Sequence, residues 1–404
     1  MPIDLNFEPD VIKFGHEVRE WALAEIRPHA RAVDRDHRPP PREVIESITA
    51  AAPIDLRTPT PAPVPATSMQ LSQGPATVGT VLYENISYGD QWFMWEMPSS
   101  GIGALSVNLL GTEAQKKTWV GGIAEGTYSR TAFALTEPSF GSDASKVATT
   151  AVRDGDMWLL NGSKMYCSAG YSSDYVVVFA TVDKAKGAAG IRGFVVEKGT
   201  PGFSVPKVNE SKLGLRGAET SELLFENAAI PLENCLGWTG DDDGDARGKS
   251  GFIGAITTLD SSRPAMSSIG IGIASAGIDE AAKWFAQHRA YFTQERRDRI
   301  EADLDTLRAQ LATARLFVTR ATQLKDAGLP NRREASIAKA YGPPVAEQVL
   351  RRCIQIMGPD GWSENYLVEK WYRDVKILDI FEGSGQIQRM IIARESMGRS
   401  AARG

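Results

Sequence analysis

Phe381-Glu382-Gly383-Ser384-Gly385-Gln386-Ile387-Gln388-Arg389 sets a single carboxylate among small and amide residues near the end of a 404-residue chain. Gly383 and the small residues after it let the main chain come close to a bound molecule. Glu382 is thus a carboxylate placed where the backbone can approach closely. Far upstream, Leu135-Thr136-Glu137-Pro138-Ser139-Phe140-Gly141-Ser142-Asp143 forms a turn rich in hydroxyls and small residues, able to hydrogen-bond a ligand. Between these two segments the hydrophobic period changes twice, and those changes divide the chain.

Val11, Phe14, Val18, Trp21 and Ile26 recur at near-helical spacing and predict an amphipathic helix over 10 to 30, with Pro28 near its end. From 51 to 73, Pro53, Pro59, Pro61, Pro63 and Pro65 mark a proline-rich connection that resists the α conformation. Helical patterning returns from about 75 to 125, where Thr112 and Gln115 have capping-box spacing. From about 129 to 232 the period shortens. Tyr175-Val176-Val177-Val178-Phe179-Ala180 and Gly193-Phe194-Val195-Val196 read as strands. Asp154-Gly155 reads as a hairpin turn between two further strands.

The acidic run Asp241-Asp242-Asp243-Gly244-Asp245 reads as a solvated linker. Beyond it, Leu304, Leu307, Leu311, Ala314, Val318 and Ala321 step by three and four, a bundle stripe. Gly342-Pro343-Pro344 predicts a kink or break in the next helix. The expectation is an α+β fold with a helical domain over 1–128, a β barrel or sandwich over 129–240, and a helical bundle over 250–404. Without βα alternation, a doubly wound sheet is disfavoured.

Net charge of −5 and a pI near 5.6 argue against nucleic acid as a partner. No apolar run reaches the roughly 20 residues of a membrane span, and no secretory leader is visible. Cys167, Cys235 and Cys353 lie too far apart for a disulfide framework and suit a reducing cytoplasm. His16, His29, His37 and His288 show no ligand pairing with them, so no metal is expected. Gly101-Ile102-Gly103 and Gly270-Ile271-Gly272 faintly echo dinucleotide-binding glycines, but follow no strand and sit in small-residue helical stretches.

Taken in order, these segments resemble the acyl-CoA dehydrogenase family, whose fold is an N-terminal helical domain, a middle β domain and a C-terminal four-helix bundle. The resemblance is firm over roughly 105 to 398 and implies FAD as cofactor. It implies main-chain contacts to the flavin from Phe133 and Leu135, a hydroxyl bond from Thr136, and phosphate approach at Gly141 and Ser142. Asn161-Gly162-Ser163-Lys164-Met165-Tyr166-Cys167-Ser168 resembles the second flavin element, with Tyr166 for an indole against the ring and Ser168 for a threonine near N5. Read alone, this segment would be a strand with a core aromatic. Ser384 and Gln386 join the cofactor set by the same resemblance. Ser142, Asp260, Arg263, Phe381 and Gly383 form the implied substrate set.

In the family, Arg289, Phe292, Gln355 and Gly358 would reach the flavin of a neighbouring subunit. Thr293 and Pro359 depart from the family's glycines there, and the stretch after Phe292 is shortened. The implied reaction is α,β-dehydrogenation of an acyl-CoA thioester, Glu382 taking the α-proton while a hydride passes to flavin N5. Some relatives carry the base near Ser261-Ser262, where this chain has no carboxylate. Electrons would pass to an electron-transfer flavoprotein or another acceptor. The rival expectations are an acyl-CoA oxidase, a dehydrogenase of carrier-protein-bound acyl groups, and a non-catalytic subunit of a heteromer. A homotetramer is expected, with a heteromer as the alternative.

Overall fold

The computed structural model describes residues 6–56, 71–97, 101–240 and 251–398, with the side chains of Asp260 and Ser261 outside that description. Most of the proline-rich connection and the acidic linker also lie outside the described residues. Helix α1 (Pro9–Trp21) buries Val11, Phe14, Val18 and Trp21, the predicted stripe. It does not stop at Pro28. A π-helical turn (Ala22–Ile26) and a 3-10 turn (Arg27–His29) carry the chain into α2 (Ala30–Asp36). Pro28 sits in the opening of that new turn, where a missing N–H costs nothing.

Helices α3 (Arg42–Ala50), α4 (Pro75–Gly89), α5 (Trp92–Glu96) and α6 (Gly101–Leu110) complete most of the first helical region. Two short helices, α7 (Glu113–Gln115) and α8 (Gly122–Ala124), follow around a π-helical turn. The capping box forms as expected: Gln115 N donates to Thr112 Oγ1 at 3.2 Å, and Thr112 N to Gln115 Oε1 at 2.9 Å.

The middle region is one seven-stranded mixed sheet. Its strands are β1 (Thr131–Ala134), β2 (Thr150–Asp154), β3 (Met157–Ser168), β4 (Tyr175–Thr181), β5 (Ile191–Glu197), β6 (Phe203–Lys207) and β7 (Thr220–Pro231). The order is β1-β4-β2-β3-β7-β6, with β5 antiparallel to β4. Asp154 pairs with Met157, so the β2–β3 loop is Gly155-Asp156, and Gly155 takes φ 56°. Strand β4 is buried on both faces. Val176 and Val178 enter the sheet's own core with Phe194, Val196 and Phe225, while Val177 and Phe179 face a second core shared with Val107 and Ala255.

Helices α9 (Gly251–His288), α10 (Gln294–Asp326) and α11 (Arg332–Met357) form the body of the C-terminal region, joined by α12 (Val368–Val375) and α13 (Gly385–Met397). The α10 stripe Leu304, Leu307, Leu311, Ala314, Val318 and Ala321 is buried throughout. The glycines near 270 serve packing: an added methyl on Gly272 would overlap the Glu84 carbonyl of α4. Thr293 caps α10 by accepting from Arg296 N at 3.3 Å.

Of the kink or break expected at Gly342-Pro343-Pro344, the break does not occur: α11 continues through both prolines. Contact with α9 is the reason. Gly342 packs so tightly on Ser267 that a methyl would come within 2.7 Å of it, and Ser267 Oγ donates to the Ala338 carbonyl at 2.8 Å. Buried packing of this kind outweighs a proline penalty of about 3 kcal/mol.

One buried charge cluster ties the three regions together. Lys370 on α12 donates to both oxygens of Asp90 at 2.7 Å and to Asp374 at 2.6 Å, and the Leu215 amide donates to Asp374. Burial opposes charge on Lys370, but Asp374 and Asp90 together hold it above the ordinary lysine value.

Candidate active site

Glu382 sits between a 3-10 turn (Lys376–Asp379) and α13, with φ 57°, a left-handed conformation uncommon outside glycine. Its carboxylate is held from α9: Ser262 Oγ donates to Glu382 Oε2 at 2.7 Å. Arg263 Nε and Gln388 Nε2 donate to its carbonyl at 3.3 and 3.4 Å. The following Gly383 carbonyl accepts from Gln388 Nε2 at 3.0 Å and from Lys339 Nζ at 3.3 Å. Each bond fixes the turn rather than the carboxylate's other oxygen.

Burial pushes the Glu382 carboxyl above its ordinary pKa, opposed by the Ser262 hydrogen bond and the charges of Lys339 and Arg263. Tyr83 on α4 is pushed up by burial and by the Glu382 charge. Phe381 packs its ring 5.2 Å from Trp95. Half-buried Glu382 thus lies beside an aromatic pair and among cationic groups, and its raised pKa suits a carboxylate that accepts a proton.

The two hydroxyl-rich and Asn-Gly segments lie side by side. Met165 N donates to the Thr136 carbonyl at 2.9 Å. Lys164 Nζ donates to Glu137 Oε1 at 2.8 Å and to the Leu135 carbonyl at 3.1 Å. Glu137 also accepts from Ala148 N at 2.7 Å and Thr149 N at 2.9 Å. Burial lowers the Lys164 pKa to about 8 despite Glu137. Burial also opposes charge on Glu137, but Lys164 and the hydrogen bonds hold it below the ordinary glutamate value.

Beside this buried pair the candidate cofactor residues face outward. Gly141, Ser142 and Ser168 are exposed, Phe133 and Thr136 are half-buried, and Leu135 is buried with its main chain in the segment. Tyr166 is 62% exposed and has φ 56° at a register irregularity between β3 and β7. An exposed aromatic held in so unfavourable a backbone state is what a flat ring system would stack upon. Added bulk at Gly141 would meet only Thr136 at 4.0 Å, leaving room for a phosphate. These residues fit a flavin dinucleotide.

Arg289, Phe292, Gln355 and Gly358 gather elsewhere, at the far ends of α9 and α11. Trp284 joins the two ends, its ring tilted against that of Phe292 with centres 6.1 Å apart and its Nε1 donating to Asp360 Oδ2 at 2.8 Å. From Arg263 to Arg289 along α9 is about 39 Å at 1.5 Å per residue, so one chain does not bring this group to Glu382. Arg289 is ion-paired with Glu301, and its guanidinium lies 5.6 Å from the Phe285 ring centre. Ser384 and Gln386 begin α13, half-buried and exposed respectively. Asp260 falls on α9, its side chain outside the described residues.

Sequence reasoning gave no role to the Glu137–Lys164 pair, to Tyr83 or to Lys339, and named Ser262 only for lacking a carboxylate. One signal was available. Lys339 occupies the buried face of α11 in register with Ala335, Ala338 and Ala346, where a charge needs a reason.

Family profiles described as the N-terminal, middle and C-terminal domains of acyl-CoA dehydrogenase match residues 9–127, 132–228 and 249–397. The chain is 34% identical to an acryloyl-CoA reductase (NADH) of Anaerotignum propionicum over 99% of this chain and 97% of that one. It is 36% identical to a short-chain specific acyl-CoA dehydrogenase of Clostridium acetobutylicum over 71% of this chain and 73% of that one. Butyryl-CoA dehydrogenase from Megasphaera elsdenii superposes with a TM-score of 0.83 at 29% identity, covering 98% of this chain and all of that one. On matches that run through all three regions, the chain belongs to the acyl-CoA dehydrogenase family of FAD-dependent flavoproteins.

Proposed function

We propose that this enzyme desaturates the α,β-bond of an acyl-CoA thioester with Glu382 as the base. The observation that carries the proposal is the Glu382 carboxylate, fixed by Ser262 at 2.7 Å and facing the charges of Lys339 and Arg263. Bound FAD supplies the acceptor for the hydride equivalent lost from the β-carbon. Glu382 takes the α-proton, and burial keeps it basic enough to do so. The Glu382 amide is the donor for the thioester carbonyl, and Arg263 with Gln388 hold the next peptide in place through the Glu382 carbonyl. Phe133, Leu135, Thr136, Gly141, Ser142, Tyr166 and Ser168 hold the isoalloxazine and pyrophosphate, with Ser384 and Gln386 at the start of α13.

A second chain completes the cofactor site through Arg289, Phe292, Gln355 and Gly358, since Arg289 lies about 39 Å from Arg263 at helical rise and the others gather at that same end of α9 and α11. We therefore propose a homo-oligomer, with an electron-transfer flavoprotein as the partner that reoxidises the flavin. A second reading follows from the full-length likeness to an acryloyl-CoA reductase: the same residues serve the reverse reaction, with protonated Glu382 returning the α-proton.

The test is anaerobic titration of the purified yellow protein with a series of acyl-CoA thioesters. Bleaching by saturated thioesters in wild type, and its loss in Glu382→Gln with flavin retained, is the expected result. Unchanged bleaching in Glu382→Gln would remove Glu382 from the role. Hydrogen peroxide formed without an added acceptor would instead identify an oxidase, and a flavin-free chain that gains FAD on adding a second protein would identify a heteromer.

A further inference from the structure

Lys339 lies on the buried face of α11 and is 0% exposed, among the alanines that pack α11 on its neighbours. An ammonium removed from water in this way costs several kcal/mol, at the order-of-magnitude level, unless paired or hydrogen-bonded. Its contact is the Gly383 carbonyl at 3.3 Å, the peptide immediately after the base. Packing alone does not call for a cation at this position, and a methionine would fill the same volume.

The charges facing Lys339 come from the segment before α13 and from α9. Burial lowers its pKa to about 8, against the raising effects of Glu382 and then Asp379, while Arg263 lowers it further. Around Glu382 stand Ser262 and Arg263 on α9, Lys339 on α11 and Tyr83 on α4. Gln388 on α13 adds a further neutral donor. The donors divide the turn between them: Arg263 and Gln388 reach the Glu382 carbonyl, whereas Gln388 and Lys339 reach that of Gly383. A non-glycine residue held at φ 57° needs such over-determination to persist.

We propose that Lys339 is a positioning residue for the base: its buried ammonium anchors the Gly383 carbonyl, holds Glu382 in its left-handed turn and favours the ionised carboxylate. This rests on the assignment of Glu382 as base. Lys339 touches no reacting atom and acts through Glu382 alone. Removing its charge leaves the turn's other donors in place but deprives the carboxylate of a facing cation.

The experiment measures the rate of flavin reduction by an acyl-CoA across pH in wild type, Lys339→Gln, Lys339→Met and Lys339→Arg holoenzymes. The acid limb of the Gln and Met variants moves up by about one pH unit, the effect of losing a nearby opposite charge. Below that limb their rates fall about tenfold, recovering at higher pH. Lys339→Arg keeps the wild-type limb. A neutral variant with the limb where wild type has it, whatever its absolute rate, overturns the proposal.

Thermal melting of the cycle Lys339→Gln, Glu382→Gln and the double variant gives a readout independent of turnover. Non-additive melting shifts support the coupling, and additive shifts overturn it. Should Lys339→Gln not fold, Lys339→Met, which buries no unpaired polar atom, takes its place in both measurements. If wild type is not bleached by any acyl-CoA, the functional assignment fails by itself, and the melting cycle still decides whether Lys339 and Glu382 are coupled.

Discussion

Lys164 and Glu137 form a buried ion pair at 2.8 Å that staples the Leu135–Ser142 turn to strand β3. The pair lies directly beneath the surface on which the candidate flavin residues are displayed. Both termini of the staple make further bonds: Glu137 also receives two backbone amides, and Lys164 reaches the Leu135 carbonyl. Cofactor retention should therefore depend on residues that never touch the cofactor.

Lys164→Met leaves Glu137 buried and unpaired, a change that costs about 3–5 kcal/mol. Its melting temperature and FAD content should both drop at pH 7. The sign with pH follows from Glu137, which is held below its ordinary value of 4.5. Its stabilising contribution is present above that value and disappears as pH falls through the lower, folded-state pKa. The deficit of Lys164→Met against wild type should shrink over that acid range, and a deficit constant with pH would contradict the pairing.

Ser262→Ala removes a donor that favours ionised Glu382. Burial already raises this carboxyl above the ordinary glutamate value, so with Glu382 as the proposed base the acid limb of flavin reduction should lie above that value in wild type. The alanine variant should move the limb further up while leaving its plateau at high pH nearly intact. Stopped-flow bleaching over a pH series reads both quantities.

Tyr166→Ala should lose FAD on dilution or gel filtration without a comparable loss of fold. The ring is mostly exposed, so the apoprotein's stability should change by no more than about 0.5 kcal/mol. Fluorescence titration of apoprotein with FAD would show weakened binding, and Tyr166→Trp should restore it.

Gly272→Ala tests the close approach of α9 to α4, where a methyl overlaps the Glu84 carbonyl. Overpacking of this kind costs about 1–3 kcal/mol. The variant should melt lower while its flavin spectrum is unchanged, because Glu382 and Tyr166 sit elsewhere. An unaffected melting temperature would mean that the helices part easily.

The layered order of helices, sheet and helices was legible because each region carries its own hydrophobic period. Val11 to Trp21 and Leu304 to Ala321 land on the buried faces predicted for them, and Val176 to Phe179 forms the predicted strand. The continuous α11 was not legible, since a local rule for Pro343 and Pro344 takes no account of what α9 presses against them. Glu382 was visible through its small neighbours, but Ser262, Lys339 and Tyr83 come from three other helices. Nothing local in the chain announces which distant donor will meet a carboxylate. Likewise Glu137 and Lys164 were both quoted in motifs, yet their pairing is set by how the turn after β1 folds against β3.

The cluster of Asp90, Lys370 and Asp374 bears on how such chains can be recombined. Its members are drawn from the first helical region and from α12, and the Leu215 amide adds the loop between β6 and β7. A chimera joined to a homologue near 130 or 245 would inherit one side of this latch from each parent. Only parents whose acidic and basic members match in kind and in reach would close it, so the crossover points that look safest along the sequence are constrained by a single lysine far downstream.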